Sequence, residues 1–260
     1  MPVPVTLPPT LADRLGSAER PLVGMWVCSG STTVAEVCAG SGLDWLLIDG
    51  EHAPLSLASI QDQLRAVAAY PITPVVRVPV NDHVLIKQYL DLGAQNLLVP
   101  MVDTPEQAAE AVRATRYPPA GVRGVGSALA RGARWNRVER YLERADEELV
   151  SLVVQIESAQ AVREAEGIAA ADGVDGIFIG PSDLAASMGL LGQQGHPDVV
   201  AAVHRAIESG HAAGKKVGVN AFDPVIAQGY LDRGADFILV GADVSLLARQ
   251  SEALAARFIG

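Results

Sequence analysis

Gly234-Ala235-Asp236-Phe237-Ile238-Leu239-Val240 carries the phrase that decides the fold: a glycine, then three residues later the first of a short run of large apolar side chains. The phrase recurs, with local variation, at Gly42-Leu43-Asp44-Trp45 and at Gly93-Ala94-Gln95-Asn96. Glycine suits the residue just past a helix, where the backbone often turns left-handed and a Cβ is unwelcome. A strand that starts as soon as a helix ends, several times in one chain, is the signature of repeated βα units.

Working outward, eight runs read as strands: Val23–Val27, Trp45–Asp49, Pro74–Val78, Asn96–Val99, Leu152–Ile156, Gly176–Ile179, Val217–Asn220 and Phe237–Val240. They are short, continuously apolar and rich in Val, Ile and Leu, as strands covered on both faces must be. Between them, helical spacing predicts Leu57–Ala69, Asp82–Leu92, Pro105–Arg116, Ala159–Ala171, Pro197–Ala213, Pro224–Arg233 and Val244–Phe258. Asn81-Asp82, Thr104-Pro105 and Asp223-Pro224 supply starts, and Gly93, Gly214 and Gly234 supply ends. The expectation is an α/β protein, one (βα)₈ barrel spanning residues 1–260. A doubly wound sheet is the alternative. Gly124-Val125-Gly126 has Leu129 where a third glycine is needed and follows no strand, so no dinucleotide fold is implied. Tyr117–Asn136 and Gly189–Gly195 stand outside the repeat as long loops.

Composition narrows the classes. With 49% apolar and 19% charged residues the chain is globular. A net charge of −10 argues against nucleic acid, which needs clustered Lys and Arg. No apolar run is long enough for a bilayer, and the N-terminus lacks a secretory pattern. Cys28 and Cys38 form no metal-binding spacing, so the expected compartment is the cytoplasm.

Barrel enzymes place their chemistry at the C-terminal ends of the strands. There this chain offers Asp49-Gly50-Glu51-His52, Arg77, Gln155-Ile156-Glu157, Gly180-Pro181-Ser182-Asp183 and Asn220. Glu157 and Asp183 are two carboxylates on successive strand ends. They repel unless a cation or proton intervenes, so they suit Mg²⁺ or Mn²⁺, or else salt bridges to rim arginines. Arg77 needs an anion, which is either a substrate or Asp49 or Glu51. His52 alone of the five histidines stands at a strand end. The backbone at Gly180-Pro181-Ser182 opens a short helix, expected over Asp183–Met188, and could receive a carboxylate. Only Lys87, Lys215 and Lys216 are present, none at the mouth, which excludes a Schiff-base mechanism.

Five stretches resemble one family. They are Trp45-Leu46-Leu47-Ile48-Asp49-Gly50-Glu51-His52-Ala53-Pro54, Leu97-Leu98-Val99-Pro100-Met101, the run ATRYPPAGVRGVGSALAR from Ala114 to Arg131, Val154-Gln155-Ile156-Glu157, and Ile177-Phe178-Ile179-Gly180-Pro181-Ser182-Asp183-Leu184. Together they are similar to the class II pyruvate aldolases of the phosphoenolpyruvate/pyruvate barrel superfamily, over about Leu15 to Phe258. The resemblance implies Glu157 and Asp183 as metal ligands, for Mg²⁺, Mn²⁺ or Co²⁺. It implies Arg77 as the contact to the pyruvyl oxygen, His52 in proton transfer, Gln155 beside the metal, and Gly180 and Ser182 as the carboxylate cradle. It also implies Asp91 as a partner of the histidine. Asp91 lies near the far end of a barrel helix, so either a neighbouring subunit brings it or Asp49 and Glu51 orient His52 instead. Homo-oligomers, a hexamer built as a trimer of dimers with the last helix exchanged, are implied too. The better-known members of the family have an aliphatic residue where this chain has Asn220, which bears on substrate preference.

The chemistry expected is reversible aldol cleavage of a 4-hydroxy-2-oxo acid to pyruvate or hydroxypyruvate and an aldehyde. Two carboxylates are balanced by a divalent ion, and Arg77 by a 2-oxo acid, so the loaded site is formally neutral and ready to meet the charge of an enolate. His52 moves the proton, directly or by relay through water. The rival expectations are a 2-oxo acid decarboxylase, an acyl-CoA lyase, or a metal-binding protein without turnover.

Overall fold

A computed structural model describes residues 3–259. Eight parallel strands close into a barrel in chain order. They are β1 (Leu22–Val27), β2 (Trp45–Asp49), β3 (Thr73–Arg77), β4 (Asn96–Val99), β5 (Ser151–Ile156), β6 (Gly176–Ile179), β7 (Lys216–Asn220) and β8 (Phe237–Ala242). All eight expected strands are present, with shifts of one or two residues at their ends. The helices are α1 (Leu11–Ser17), α2 (Thr32–Ala39), α3 (Leu57–Ala66), α4 (His83–Asp91), α5 (Pro105–Thr115), α6 (Tyr141–Arg144), α7 (Ala159–Ala170), α8 (Pro181–Ser187), α9 (Pro197–Ala212), α10 (Pro224–Asp232) and α11 (Asp243–Ile259).

Three helices were not expected from spacing. Helix α1 is a seven-residue element closed by a Thr10–Asp13 capping box, and α2 is capped by Ser31. Both are too short for periodicity to announce them. Helix α6 begins on left-handed Arg140 and runs on into a wider turn over Ala145–Leu149. The helix expected over Asp183–Met188 begins two residues earlier, with Pro181 at its first position and Gly180 as cap. Proline is at home there because its missing N–H would go unused. Gly93, Gly214 and Gly234 end their helices as expected, with left-handed φ of 96°, 73° and 95°, whereas α2 is capped by Gly40 at φ −84° and Gly42, at φ 87°, lies two residues further on.

Alternation along each strand separates two cores. Odd-facing residues such as Leu46, Ile48, Val76, Val99, Val154 and Ile177 pack outward against the helices. Trp45, Leu47, Val75, Leu98, Val153, Phe178, Phe237 and Leu239 point inward and fill the barrel. Trp45, Phe178 and Phe237 meet at centroid separations of 6.2, 5.5 and 5.9 Å and plug the middle. Glycines make room for them. A Cβ at Gly24 would lie 2.6 Å from the Trp45 indole, and one at Gly218 would strike the Phe237 ring. Helix α1 stoppers the N-terminal end, with Leu11 and Leu15 in the interior cluster and the Leu11 N–H on Asn96 Oδ1 at 2.6 Å.

Helix α11 behaves differently from the others. Asp243 is its buried residue, and Leu246, Leu247, Leu254, Phe258 and Ile259 are exposed. It is joined to the barrel at its root, where Asp243 accepts from the N–H groups of Cys28 at 2.9 Å and Ser29 at 3.0 Å. The carboxylate thereby ties the end of β1 to the end of β8, closing the seam where the β1–β8 register shifts.

Candidate active site

The inward parity that places the aromatic plug also places the site. Two residues beyond the inward positions Gly24, Leu47, Val75, Val153, Phe178 and Gly218, toward the C-terminal mouth, the same alternation brings in Trp26, Asp49, Arg77, Gln155, Gly180 and Asn220, with Glu157 just past β5. Asp49, Arg77, Gln155 and Glu157 are 2%, 4%, 3% and 3% exposed, so four polar side chains are withdrawn from bulk water and must satisfy one another.

Arg77 is gripped on three sides. Its Nε and Nη2 donate to the two oxygens of Asp49 at 2.9 and 2.8 Å, a bidentate fork. Its Nη1 lies 2.8 Å from Glu51 Oε2. That contact lacks hydrogen-bond alignment and leaves the buried Oε2 without a donor. Beneath, the guanidinium carbon sits 4.4 Å from the centre of the Trp26 ring. Both anions considered for Arg77 therefore hold it.

Glu157 has no arginine of its own. Its Oε1 accepts from the Met101 N–H at 2.7 Å and its Oε2 from Gln155 Nε2 at 2.6 Å. Burial first, then the charges of Glu51 and Asp183, push its carboxyl up to about 7, against the pull of Met101 and Arg77. Burial also raises Glu51, with Asp49 and Asp183 adding to it. Among the described residues no salt bridge reaches Glu157 or Asp183, so the rim-arginine alternative is not what the structure shows.

A divalent cation fits this set. Three carboxylates gather around one guanidinium that is already shared, and buried like charges that raise one another lack a counter-charge. The donors are hard oxygens, which suit Mg²⁺ and its kin. The Oε1 of Gln155 is buried without a partner. Space is kept open by Gly180, where a Cβ would come within 2.8 Å of Gln155 Nε2 and 3.0 Å of Glu157 Oε2. Among the described residues no three His, Cys, Asp or Glu side chains form a closed metal cage. Two protein carboxylates would leave coordination positions for substrate and water.

The profile of the HpcH/HpaI aldolase/citrate lyase family matches residues 22–250. The chain belongs to that family. Among its relatives is the hydroxypyruvate/pyruvate aldolase of Deinococcus radiodurans, 55% identical over 99% of this chain and 94% of its own. The 4-hydroxy-2-oxo-heptane-1,7-dioate aldolase of Escherichia coli is 53% identical over 93% of this chain and 92% of its own. In structure, an HpcH/HpaI aldolase/citrate lyase family protein from Burkholderia cenocepacia superposes with a TM-score of 0.91 at 44% identity, covering 96% of this chain and 99% of that one. Aldolases are carbon–carbon lyases, and this HpcH/HpaI family member is one.

Of the remaining expected residues, His52, Ser182, Asp183 and Asn220 stand at the C-terminal mouth, and Asp91 does not. His52 is largely exposed, its Nε2 4.0 Å from Glu51 Oε1. Asp49 is committed to Arg77, so within the chain the carboxylate beside His52 is Glu51. Asp91, at the far end of α4, faces Arg123 Nη2 at 3.6 Å. Ser182 and Asp183 are exposed in the first turn of α8, behind Pro181. Asn220 Oδ1 accepts from the indole N–H of Trp26 at 2.8 Å. The lysines are engaged elsewhere or lie outside the mouth: Lys215 donates to the Val174 carbonyl, Lys216 to Asp236, and Lys87 lies in α4.

Three participants escaped the reading of the sequence as site residues: Glu51, Trp26 and Met101. Glu51 sat in plain view inside Asp49-Gly50-Glu51-His52 and was considered only as a partner for Arg77 or His52. Trp26 could have been found by parity, since it shares the inward phase of β1 with Gly24. Met101 has no such signal, because its contribution is a backbone N–H presented at φ 54°.

Proposed function

We propose that this protein is a divalent-metal-dependent aldolase that cleaves 4-hydroxy-2-oxo acids reversibly to pyruvate, or hydroxypyruvate, and an aldehyde. The observation that carries the reading is the buried Glu157 beside Arg77: an anion without a counter-charge next to a rigidly held cation. The names of the two relatives support the same substrate class.

Glu157 and Asp183 would hold the metal, Mg²⁺, Mn²⁺ or Co²⁺, with Gln155 fixing Glu157. When bound, the ion supplies a Lewis acid for the carbonyl of the 2-oxo acid. Arg77 supports the same oxygen as charge develops, and Asp49 keeps the guanidinium from reorienting. Nη1, which lies 2.8 Å from Glu51 Oε2, would exchange or share that contact with the substrate oxygen. The start of α8, at Gly180, Pro181 and Ser182, receives the substrate carboxylate. His52 takes the proton from the C4 hydroxyl as the C3–C4 bond breaks, and that proton is passed, directly or through water, to C3 of the enolate to give the 2-oxo acid; both transfers run backwards in the reverse reaction. Cys28 is not the base, since burial, with Asp49 and Asp243, pushes its thiol up to about 12.

The exposed apolar face of α11 supports a homo-oligomer, a trimer of dimers in which this helix packs on a second copy and a neighbour brings Asp91 toward His52. No helix of the described residues is long and apolar enough to cross a membrane. We place the protein in the cytoplasm, with Cys28 and Cys38 as free thiols. The direct test is pyruvate release from a 4-hydroxy-2-oxo acid with and without EDTA. Cleavage that survives complete metal removal would overturn the reading.

A further inference from the structure

Asn220 was expected to line the pocket and bond the substrate. Its contact says something more specific. Trp26 Nε1 is a donor with no acceptor capacity, so the Asn220 atom that faces it at 2.8 Å must be the carbonyl oxygen, and the amide's orientation is fixed by chemistry. The bond crosses the mouth from β7 to β1 over the intervening β8. It restrains the side-chain torsions through which the indole could tilt. On the face of that indole lies the guanidinium of Arg77, 4.4 Å from the ring centre. Asp49 holds the guanidinium by its edge, and the indole sets the height and tilt of its plane.

We propose that Asn220 is a positioning residue that acts through Trp26, fixing the plate on which Arg77 lies, and so governs turnover as well as substrate choice. The proposal rests on the aldolase reading for its kinetic arm only. An aliphatic residue at this position would leave the indole N–H without an acceptor in a largely buried place, and Trp26 would turn to find one. The Arg77 plane would follow it.

The test is a cycle of Asn220→Leu and Trp26→Phe, alone and together, with kcat and KM for cleavage of a 4-hydroxy-2-oxo acid. Trp26→Phe keeps an aromatic face and removes the N–H. Each single change is expected to lower kcat about tenfold, the scale of one lost buried hydrogen bond, and the double change no further. Asn220→Leu is also expected to have no added effect in an Arg77→Lys background, where no planar guanidinium lies on the indole. An additive, about hundredfold loss in the double variant would overturn the proposal and return Asn220 to direct substrate contact. A second arm needs no activity. In ¹⁵N-labelled protein the Trp26 indole signal, assigned by its loss in Trp26→Phe, should shift and exchange faster in Asn220→Leu or in the less bulky Asn220→Ala. An unmoved signal in both would overturn the latch. A wild type that cleaves no 4-hydroxy-2-oxo acid would instead overturn the aldolase reading, while the indole arm would still decide the latch.

Discussion

The Met101 N–H donates to Glu157 Oε1 at 2.7 Å, and Met101 adopts φ 54° in doing so. A left-handed backbone costs a residue with a Cβ about 1–2 kcal/mol. The cost is borne just past β4, where turning the chain aims a backbone donor at a buried carboxylate. Met101→Gly should keep the donor and relieve the strain, raising Tm by roughly 2–4 °C with metal affinity unchanged. Met101→Val, branched at Cβ, should lower Tm by a similar amount. Thermal melts with and without Mn²⁺ decide both.

With Glu157 as the proposed metal ligand, metal binding should depend on pH. Its carboxyl titrates near 7 in the fold against an ordinary value of 4.5, so the proton competes with the cation below neutrality. Apparent metal affinity should fall about tenfold per pH unit as pH drops below that value. The sign for stability runs the other way. A carboxyl raised by folding stabilises the metal-free protein at low pH, and that contribution is lost as pH rises through about 7. Metal-free Glu157→Gln should therefore melt above metal-free wild type at about pH 8 and level with it at about pH 5. Calorimetric melts at the two values check this.

Gly180 should tolerate no side chain. A Cβ there meets Gln155 Nε2 at 2.8 Å and Glu157 Oε2 at 3.0 Å. Gly180→Ala should push Glu157 out of line and weaken Mn²⁺ binding by about tenfold or more, with the circular dichroism spectrum unchanged. Titration followed by the paramagnetic signal of free Mn²⁺ reads this directly, and unaltered affinity would mean that the cation sits elsewhere.

Arg77→Lys keeps the charge and loses the fork to Asp49. If Arg77 serves the oxygen on which charge develops, kcat should fall about 100-fold with KM changing far less. An unchanged kcat would reduce Arg77 to an ion-pair member. Borohydride added with substrate should leave the enzyme active, since no lysine stands at the mouth to form an imine.

The barrel was legible because its evidence is periodic and redundant. The Gly234 phrase, the caps at Thr104 and Asp223, and eight apolar runs all report the same unit, and errors of a residue at the ends do not matter. The site was legible in part. Glu157, Asp183, Arg77 and His52 announced themselves as charges at strand ends. What spacing could not show was pairing across the mouth, because Asn220 and Trp26 are 194 residues apart and meet only once the barrel closes. Nor could it show that Asp49 would be spent on Arg77, leaving Glu51 as the nearer carboxylate to His52. The short helices α1 and α2 were missed because a turn or two carries too little periodicity to read.

The aromatic plug of Trp45, Phe178 and Phe237 makes this barrel a cup and not a tube. Whatever enters must leave by the same opening. A molecule cut in two inside such a vessel yields one fragment against the floor and one toward the rim, and the rim fragment stands in the other's path. Departure is then sequenced by geometry: the aldehyde goes first and the 2-oxo acid second. Product-inhibition kinetics should carry that signature, with the 2-oxo acid competing against the cleavable substrate and the aldehyde acting as a noncompetitive inhibitor.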